Sequence, residues 1–222
     1  NDNSWLETIN LFIGDSNPGD VWNLDEISGA KGHVIVKDNA TVTVKDSLVI
    51  GRYSKGEDGK LTISSTTGTA VLNVANQIQV GWQGGIGEWN IGAGSQITNS
   101  GGTLATLTVG DNTHTRGGLP GTTSVGVVNM DGGVLDRSGG GTEVGSGWMA
   151  IGYAGGSGTW NHNGGTLLNN TAGVILGHNW GTKSSATLNL NGGIFEAAFL
   201  RTFTREQQGA PESAIVNLNG GV

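Results

Sequence analysis

The chain has 222 residues, a formal net charge of −7, no cysteine and only 13% charged residues. The acidic balance and the absence of a Lys/Arg cluster argue against nucleic acid or a membrane surface as a partner. The lack of cysteine excludes disulfides. Glycine is abundant, with 42 residues against 3 prolines, and it falls at regular places between alternating apolar runs. This pattern predicts an ordered chain with many sharp corners.

Residues 1–32 do not follow the repeats seen further along the chain. Trp5, Leu6, Ile9 and residues 11–13 are apolar enough to plug the first coil of a repeat protein, so we expect an N-terminal cap over 1–32. An oxygen-rich cluster follows, made of Asp15, Asn17, Asp20, Asp25 and Glu26. Its spacing differs from that of an EF-hand, so a solvated turn explains it better than a calcium site. We therefore expect no cofactor, with calcium at this turn as the alternative.

Two phrases alternate over residues 33–222. One is an apolar triplet closed by glycine, at 48–51, 78–81, 107–110, 149–152 and 174–177. The other is an alternating run that ends in a glycine-rich corner, at 88–94, 127–133, 159–165, 187–193 and 215–221. With a weaker third strand between them, three strands and three corners fill a period of roughly thirty residues. The sequence predicts an all-β, right-handed parallel β-helix of about six coils, in one elongated domain.

Alternation within the second phrase assigns its side chains to two sides of the strand. Trp89, Ile91, Val128, Met130, Trp160, His162, Leu188, Leu190, Val216 and Leu218 are predicted to point inward. Asn90, Asn129, Asn161, Asn189 and Asn217 then form an outward column. Because coils stack ~4.8 Å apart, the amides are placed to bond to one another and stabilise the stack. The alternative is a row of hydrogen-bonding groups that faces a polymeric ligand.

Aromatic residues recur at the corner after the glycine-closed strands. They are Tyr53, Trp82 (followed by Gln83), Tyr153 and Trp180, with Trp148 just before one of these strands. Aligned exposed rings suggest a binding patch, whereas rings folded back over the coil edge would be packing. Both interpretations stay open. The long insert from Asp111 to Val125 would form a wall beside this corner, or a plain loop.

Catalytic groups do not form a recognisable set. The carboxylates Glu88, Asp111, Asp131, Asp136 and Glu143 are scattered in phase, whereas glycoside hydrolysis needs two facing carboxylates. Asp136 with Arg137, near Asp111 and Asp131, imitates a lyase site, but such a site needs more carboxylates and a base. The four histidines lack a spacing suited to zinc. We expect a protein that is not an enzyme and holds no metal.

The Trp-Asn-His-Asn-Gly-Gly-Thr phrase at 160–166 and the glycine-closed strands resemble two groups of proteins. One is a right-handed parallel β-helix family of carbohydrate-binding modules that accompanies bacterial xylanases and binds xylan. The other is the β-helical passenger repeats of autotransporter-type secreted proteins. The first resemblance implies a non-catalytic module, excised from a longer secreted enzyme, whose partner domain is a glycoside hydrolase. The abrupt end at Val222 is consistent with that expectation.

Sugars suit the residues of the corner and the outward column. Aromatic rings pack on the C–H surfaces of sugars, and side-chain amides bond to their hydroxyls. We expect Trp82, Tyr153 and Trp180, with Tyr53 and Trp148, to stack on a plant-wall polysaccharide, most simply xylan. Gln83, Asn90, Asn129 and Asn161 would supply hydrogen bonds. The alternatives are an adhesive or structural passenger segment, and a β-helix polysaccharide lyase or hydrolase.

Overall fold

The computed structural model describes residues 4–15, 31–52, 58–99, 101, 105–113, 123–139, 147–169, 172–178, 183–202 and 213–220. Throughout these ranges the regular elements are β-strands. No helix in the described part of the chain has the length and apolar character needed to cross a membrane.

The strands stack in three faces, numbered in chain order. The first face holds β1 (Trp5–Thr8), β4 (Thr41–Val44), β7 (Ala70–Val74), β10 (Ser95–Asn99), the C-terminal parts of β12 (Val125–Asp136) and β14 (Ser157–Asn169), and β17 (Ile194–Ala197). The second holds β2 (Leu11–Asp15), β5 (Ser47–Arg52), β8 (Gln77–Trp82), β11 (Leu107–Asp111), β13 (Met149–Tyr153), β15 (Val174–His178) and β18 (Leu200–Thr202). The third holds β3 (Gly32–Lys37), β6 (Asp58–Ser64), β9 (Ile86–Ile91), the N-terminal parts of β12 and β14, β16 (Ser185–Leu190) and β19 (Ser213–Leu218).

Every pairing within these faces is parallel, and each strand pairs with its equivalent one coil away. The chain visits the three faces in turn, so each coil contains three strands. This arrangement confirms the predicted fold class, a right-handed parallel β-helix.

Glycines occupy many of the corners, at positions where other residues would not fit. In β12 the chain passes from the third face to the first at Gly133, which has a φ of 73°, a left-handed conformation that strains other residues. At the end of β8, a Cβ atom on Gly81 would collide with the carbonyl oxygen of Val125 in the next coil. The glycine-rich phrases of the sequence therefore mark tight corners and close backbone contacts.

Inward side chains of successive coils stack in columns along the axis. Leu61, Trp89, Val128, Trp160 and Leu188 occupy one register position of the third face, and each is fully buried. The prediction that these side chains point inward is confirmed for Trp89, Val128, Trp160 and Leu188. It is also confirmed for His162, which is 1% exposed. It is wrong about burial at Val216 and Leu218, which are 40% and 77% exposed. They belong to β19, which pairs on one side only, with β16, among the described strands.

The described part of residues 1–32 belongs to the stack. β1 pairs in register with β4, and β2 pairs with β5, so these two strands continue the repeat at its N-terminal end. Trp5 and Ile9 are each 67% exposed, so neither is buried against the first coil. Residues 16–30 lie outside the described ranges. The capping role of 1–32 and the number of about six coils stay predictions.

Candidate functional site: two amide ladders and a corner column

A continuous line of side-chain amides runs up the outside of the third face. Four hydrogen bonds of 2.6–2.9 Å join its members, each Nδ2 donating to the Oδ1 one coil earlier; we call Asn90, Asn129, Asn161, Asn189 and Asn217 the long ladder. The outward placement of these residues is therefore confirmed, and so is the prediction that their amides bond to one another. The bonds all point the same way, because identical side chains repeat in register.

A carboxylate closes the foot of the long ladder. Asn90 Nδ2 donates to Glu88 Oε1 at 2.7 Å, and Lys60 Nζ lies 2.8 Å from the same oxygen. These hydrogen bonds from Lys60 and Asn90 lower the pKa of Glu88. The ladder thus begins on an ionised acceptor, which is the group best suited to receive the last amide donor.

A second ladder runs beside the first, two residues further along each strand. Asn163 donates to Asp131 at 2.7 Å, Asn191 to Asn163 at 2.7 Å, and Asn219 to Asn191 at 2.8 Å. We call these four residues the short ladder, and all four are exposed. Sequence reasoning missed it, although the signal was present: in four of the five copies of the second phrase an Asn or Asp directly precedes a Gly-Gly pair.

The two ladders give the third face a regular polar surface. Neighbouring rungs are separated by ~4.8 Å along the axis, and the two ladders by roughly 6.6 Å along the strand. An asparagine amide has two N–H donors and two acceptor lone pairs, and the ladder uses one of each. One donor and one acceptor per rung therefore stay available to a ligand. Thr159 and Thr187, half-buried and outward, add hydroxyl groups beside the long ladder.

The second outward feature is the corner column, which lies at the C-terminal ends of the second-face strands. Parallel register aligns its members, Asp15, Arg52, Trp82, Asp111, Tyr153 and His178. Here the sequence differs from coil to coil. Arg52 lies 3.5 Å from Asp15, and its guanidinium carbon is 4.5 Å from the centre of the Trp82 ring. One face of Trp82, a predicted sugar platform, is thus covered by a cation–π contact.

Three rings pack together further along this column. The Tyr153 ring centre is 4.6 Å from that of His178 and 4.9 Å from that of Trp148. Tyr153 is only 6% exposed and His178 8%, while Trp148 is half-buried. The structure therefore brings Tyr153 and Trp148 together, but as a packed cluster over Ala150. The open sugar platform predicted at Tyr153 is absent from this arrangement.

The remaining corner predictions have different outcomes. Gln83 is at the corner, with a φ of 51° and 5% exposure, so its carboxamide is turned away from solvent. Its backbone N–H donates to the carbonyl oxygen of Asp111 at 2.9 Å. Trp180 and Tyr53 lie outside the described residues, and so does most of the insert between Asp111 and Val125.

Asp111 is a buried carboxyl in the middle of the corner column. It is 3% exposed, and its Oδ1 accepts hydrogen bonds from the backbone N–H of Thr113 at 2.8 Å and from that residue's hydroxyl at 2.5 Å. Burial raises the pKa of Asp111 to about 6, against the opposing effect of the Thr113 bonds. The group titrates near neutral pH, yet no second carboxylate of the described residues stands opposite it in the column.

Asp136 and Arg137, which together imitate a lyase site in the sequence, have separate partners in the structure. Arg137 is fully buried, and burial lowers its pKa to about 9. Its partners are uncharged, namely Asn99 and Asn169 through their side chains at 3.1 and 3.0 Å, and the carbonyl oxygens of Ala105, Gly147 and Trp148 at 2.7, 3.1 and 3.4 Å. Asp136 instead binds its neighbour Ser138. Arg137 therefore holds a corner together from inside, a role that the sequence pattern did not reveal.

Metal-binding groups show no grouping in the described ranges, where no three His, Asp or Glu residues come together. Glu143, Asp20, Asp25 and Glu26 lie outside those ranges. The fold places the chain in the class of parallel β-helix proteins. Comparison with protein-family models, curated proteins and solved structures finds no match to the chain.

Proposed function

We propose that this chain is a non-catalytic module that binds an extended, uncharged polysaccharide along the third face. The observation that carries the proposal is the pair of parallel amide ladders, which repeat the same donor and acceptor from coil to coil, starting in β9 for the long ladder and above Asp131 for the short one. A repeating surface suits a repeating ligand, because each added sugar meets the same groups as the one before it.

The chemistry of the face favours hydroxyl groups as its partners. Amides and threonine hydroxyls both donate and accept, as sugar hydroxyls do. From the third coil of the long ladder onward, Asn161 and Asn189 and their neighbours Thr159 and Thr187 carry no charge, so an ionic ligand has no counter-charge there. Because the rungs are already fixed by their own hydrogen bonds, binding would cost little side-chain entropy.

The resemblance to xylan-binding β-helix modules makes xylan the first ligand to test. In the same proposal the module is secreted and directs an attached glycoside hydrolase to plant-wall material. The proposed site differs from the one that the sequence predicts. Tyr153 and Gln83 of the aromatic corner are buried, so the proposal places the sugar on the third face, along the two amide ladders.

A second candidate is an adhesive or structural segment. It is favoured by the fact that every amide of both ladders already bonds to its neighbours, so stack stability alone accounts for them. The two candidates differ in whether the outer surface of the ladders contacts a ligand.

The test is affinity gel electrophoresis in soluble xylan, arabinoxylan, β-glucan, xyloglucan, mannan and pectin, with reducing ends assayed in the same samples. We expect at least one neutral glycan to retard the protein without new reducing ends. The double variant Thr159→Arg, Thr187→Arg should abolish retardation, because two long side chains would then obstruct the amide face. Thr166→Arg, an outward half-buried position on the first face, is the matched control.

Each remaining result has a defined meaning. Loss of retardation in Trp82→Ala but not in the double arginine variant would return the site to the corner column. Retardation by none of the glycans would contradict the proposal and favour the adhesive or structural segment. New reducing ends would establish an enzyme. Far-UV circular dichroism and thermal unfolding confirm that each variant is folded.

A further inference from the structure

The two ladders differ in the residue that follows each asparagine. In the short ladder Asn163, Asn191 and Asn219 are each followed by glycine, whereas members of the long ladder are followed by Ile, Met, His or Leu. The backbone nitrogen of a following glycine is unhindered, because the residue has no Cβ atom and its backbone is permissive. The short ladder therefore combines three exposed Asn-Gly pairs in one column.

We propose that the short ladder is a site of spontaneous deamidation, and that its hydrogen bonds make the rungs react in order, with Asn219 first. In the reaction the glycine nitrogen attacks Cγ of the preceding asparagine, its proton passes to solvent, and ammonia leaves as a cyclic imide forms. Water then opens the imide to aspartate or isoaspartate. Each net event consumes one water and releases one ammonia, so nothing beyond solvent is required.

The structure holds the inner rungs away from this reaction. Asn191 donates to Asn163 and accepts from Asn219, so its amide is fixed on both sides. The attacking nitrogen is also engaged, because the Gly192 N–H donates to the carbonyl oxygen of His162 at 3.1 Å. To react, Asn191 must break these bonds and rotate its side chain toward Gly192.

Asn219 is held less firmly. Its amide donates to Asn191, but no described residue donates to its Oδ1. The N–H of Gly220 likewise makes no backbone hydrogen bond within the described ranges. Among the described residues, Asn219 thus lacks two of the restraints that protect Asn191.

Reaction at Asn219 would weaken the next rung. Aspartate or isoaspartate lacks the Nδ2 donor, and its carboxylate would face the Oδ1 of Asn191, an acceptor against an acceptor. Asn191 would then lose one of its restraints and become the next to react. A carboxylate is tolerated only at the foot, where Asp131 accepts and donates nothing.

The test is peptide mapping by mass spectrometry after incubation at mildly alkaline pH, on folded protein and on protein in denaturant. In the folded protein Asn219 should react about tenfold faster than Asn191 or Asn163, equivalent to about 1.4 kcal/mol in the barrier. In denaturant the three Asn-Gly rates should become nearly equal. Asn217, exposed on the same strand but followed by Leu218, is the internal control and should stay intact.

Two variants test the mechanism and the order. Gly220→Ala should slow reaction at Asn219 by about tenfold; a Cβ there would lie 3.4 Å from the Asn191 carbonyl oxygen, so the fold accommodates it. Asn219→Asp should accelerate reaction at Asn191, while Asn217→Asp in the long ladder should leave that rate unchanged. The proposal is overturned if Asn163 and Asn191 react as fast as Asn219 in folded protein, if their rates stay unequal in denaturant, or if Asn219→Asp leaves Asn191 unaffected.

Discussion

The amide ladders and the corner residues satisfy polar groups in opposite ways. In the long ladder the same side chain recurs in each coil, and each amide bonds to its copy. At the corners each coil carries a different residue, and polar groups such as Asp111 and Arg137 are buried among uncharged partners that do not repeat. Repeated residues each make a small and similar contribution to the free energy of unfolding, whereas a single buried charged group makes a large contribution at one position. Three comparisons of variants test this difference, from the largest expected effect to the smallest.

The largest effect is expected for Arg137→Ala. The change removes a buried guanidinium and takes its donors away from Asn99, Asn169 and three carbonyl groups, so the free energy of unfolding should fall by about 3–5 kcal/mol. Urea unfolding followed by circular dichroism measures the change. Lys183→Ala, at an exposed position, is the control, with less than about 0.5 kcal/mol expected. A loss at Arg137 as small as that of the control would show that its buried bonds contribute little.

The second effect depends on pH and concerns Asp111. Its pKa in the folded protein is raised to about 6, above the ordinary value of 3.8, so this group favours folding most at low pH. Its contribution is lost as the pH rises from 3.8 to about 6, and the difference is about 3 kcal/mol at most.

Asp111→Asn keeps the acceptor for Thr113 and removes the titration. The variant should equal the parent in stability near pH 4 and exceed it by about 2–3 kcal/mol at pH 7. Urea unfolding at the two pH values measures this difference. Equal stability of the two proteins at both pH values would contradict a buried Asp111 carboxyl with a raised pKa.

The smallest effect belongs to a single rung. Asn161→Ala removes two ladder hydrogen bonds, one given and one received, and should cost about 2 kcal/mol. Asn217→Ala removes only the bond to Asn189 and should cost about half as much. Urea unfolding of both variants gives the ratio. Equal losses would indicate that the rungs do not contribute one bond at a time.

Much of the fold was predictable because its determinants are local and repeated. Spacing of the glycine-closed strands gave the coil, and two-residue alternation placed Trp89 and Trp160 inside and the asparagines outside, as the structure confirms. The corners were harder. Gly81 and Gly152 have φ values of 70° and 69° and directly precede Trp82 and Tyr153, so simple two-residue alternation does not give the orientation of these corner side chains.

Residues that occur once were harder still. Nothing in the repeat distinguishes a buried Arg137 from an exposed arginine, because its partners Asn99 and Asn169 come from the coils on either side. The short ladder was missed for another reason. The glycine pair after Asp131, Asn163 and Asn191 indicates a corner, and two-residue alternation does not predict the direction of a side chain next to a corner.

β12 and β14 pass from the third face into the first without a break in the strand, and this continuity merges the two faces into one twelve-stranded sheet. Solenoids can lose coils one at a time from their ends, since each coil contacts only its neighbours. In β12 and β14, a force that separates strands of the third face must therefore also act on the first face, because one continuous strand joins the two. The centre should therefore behave as a mechanical clamp, with the outer coils detaching first and the paired 125–136 and 157–169 segments last.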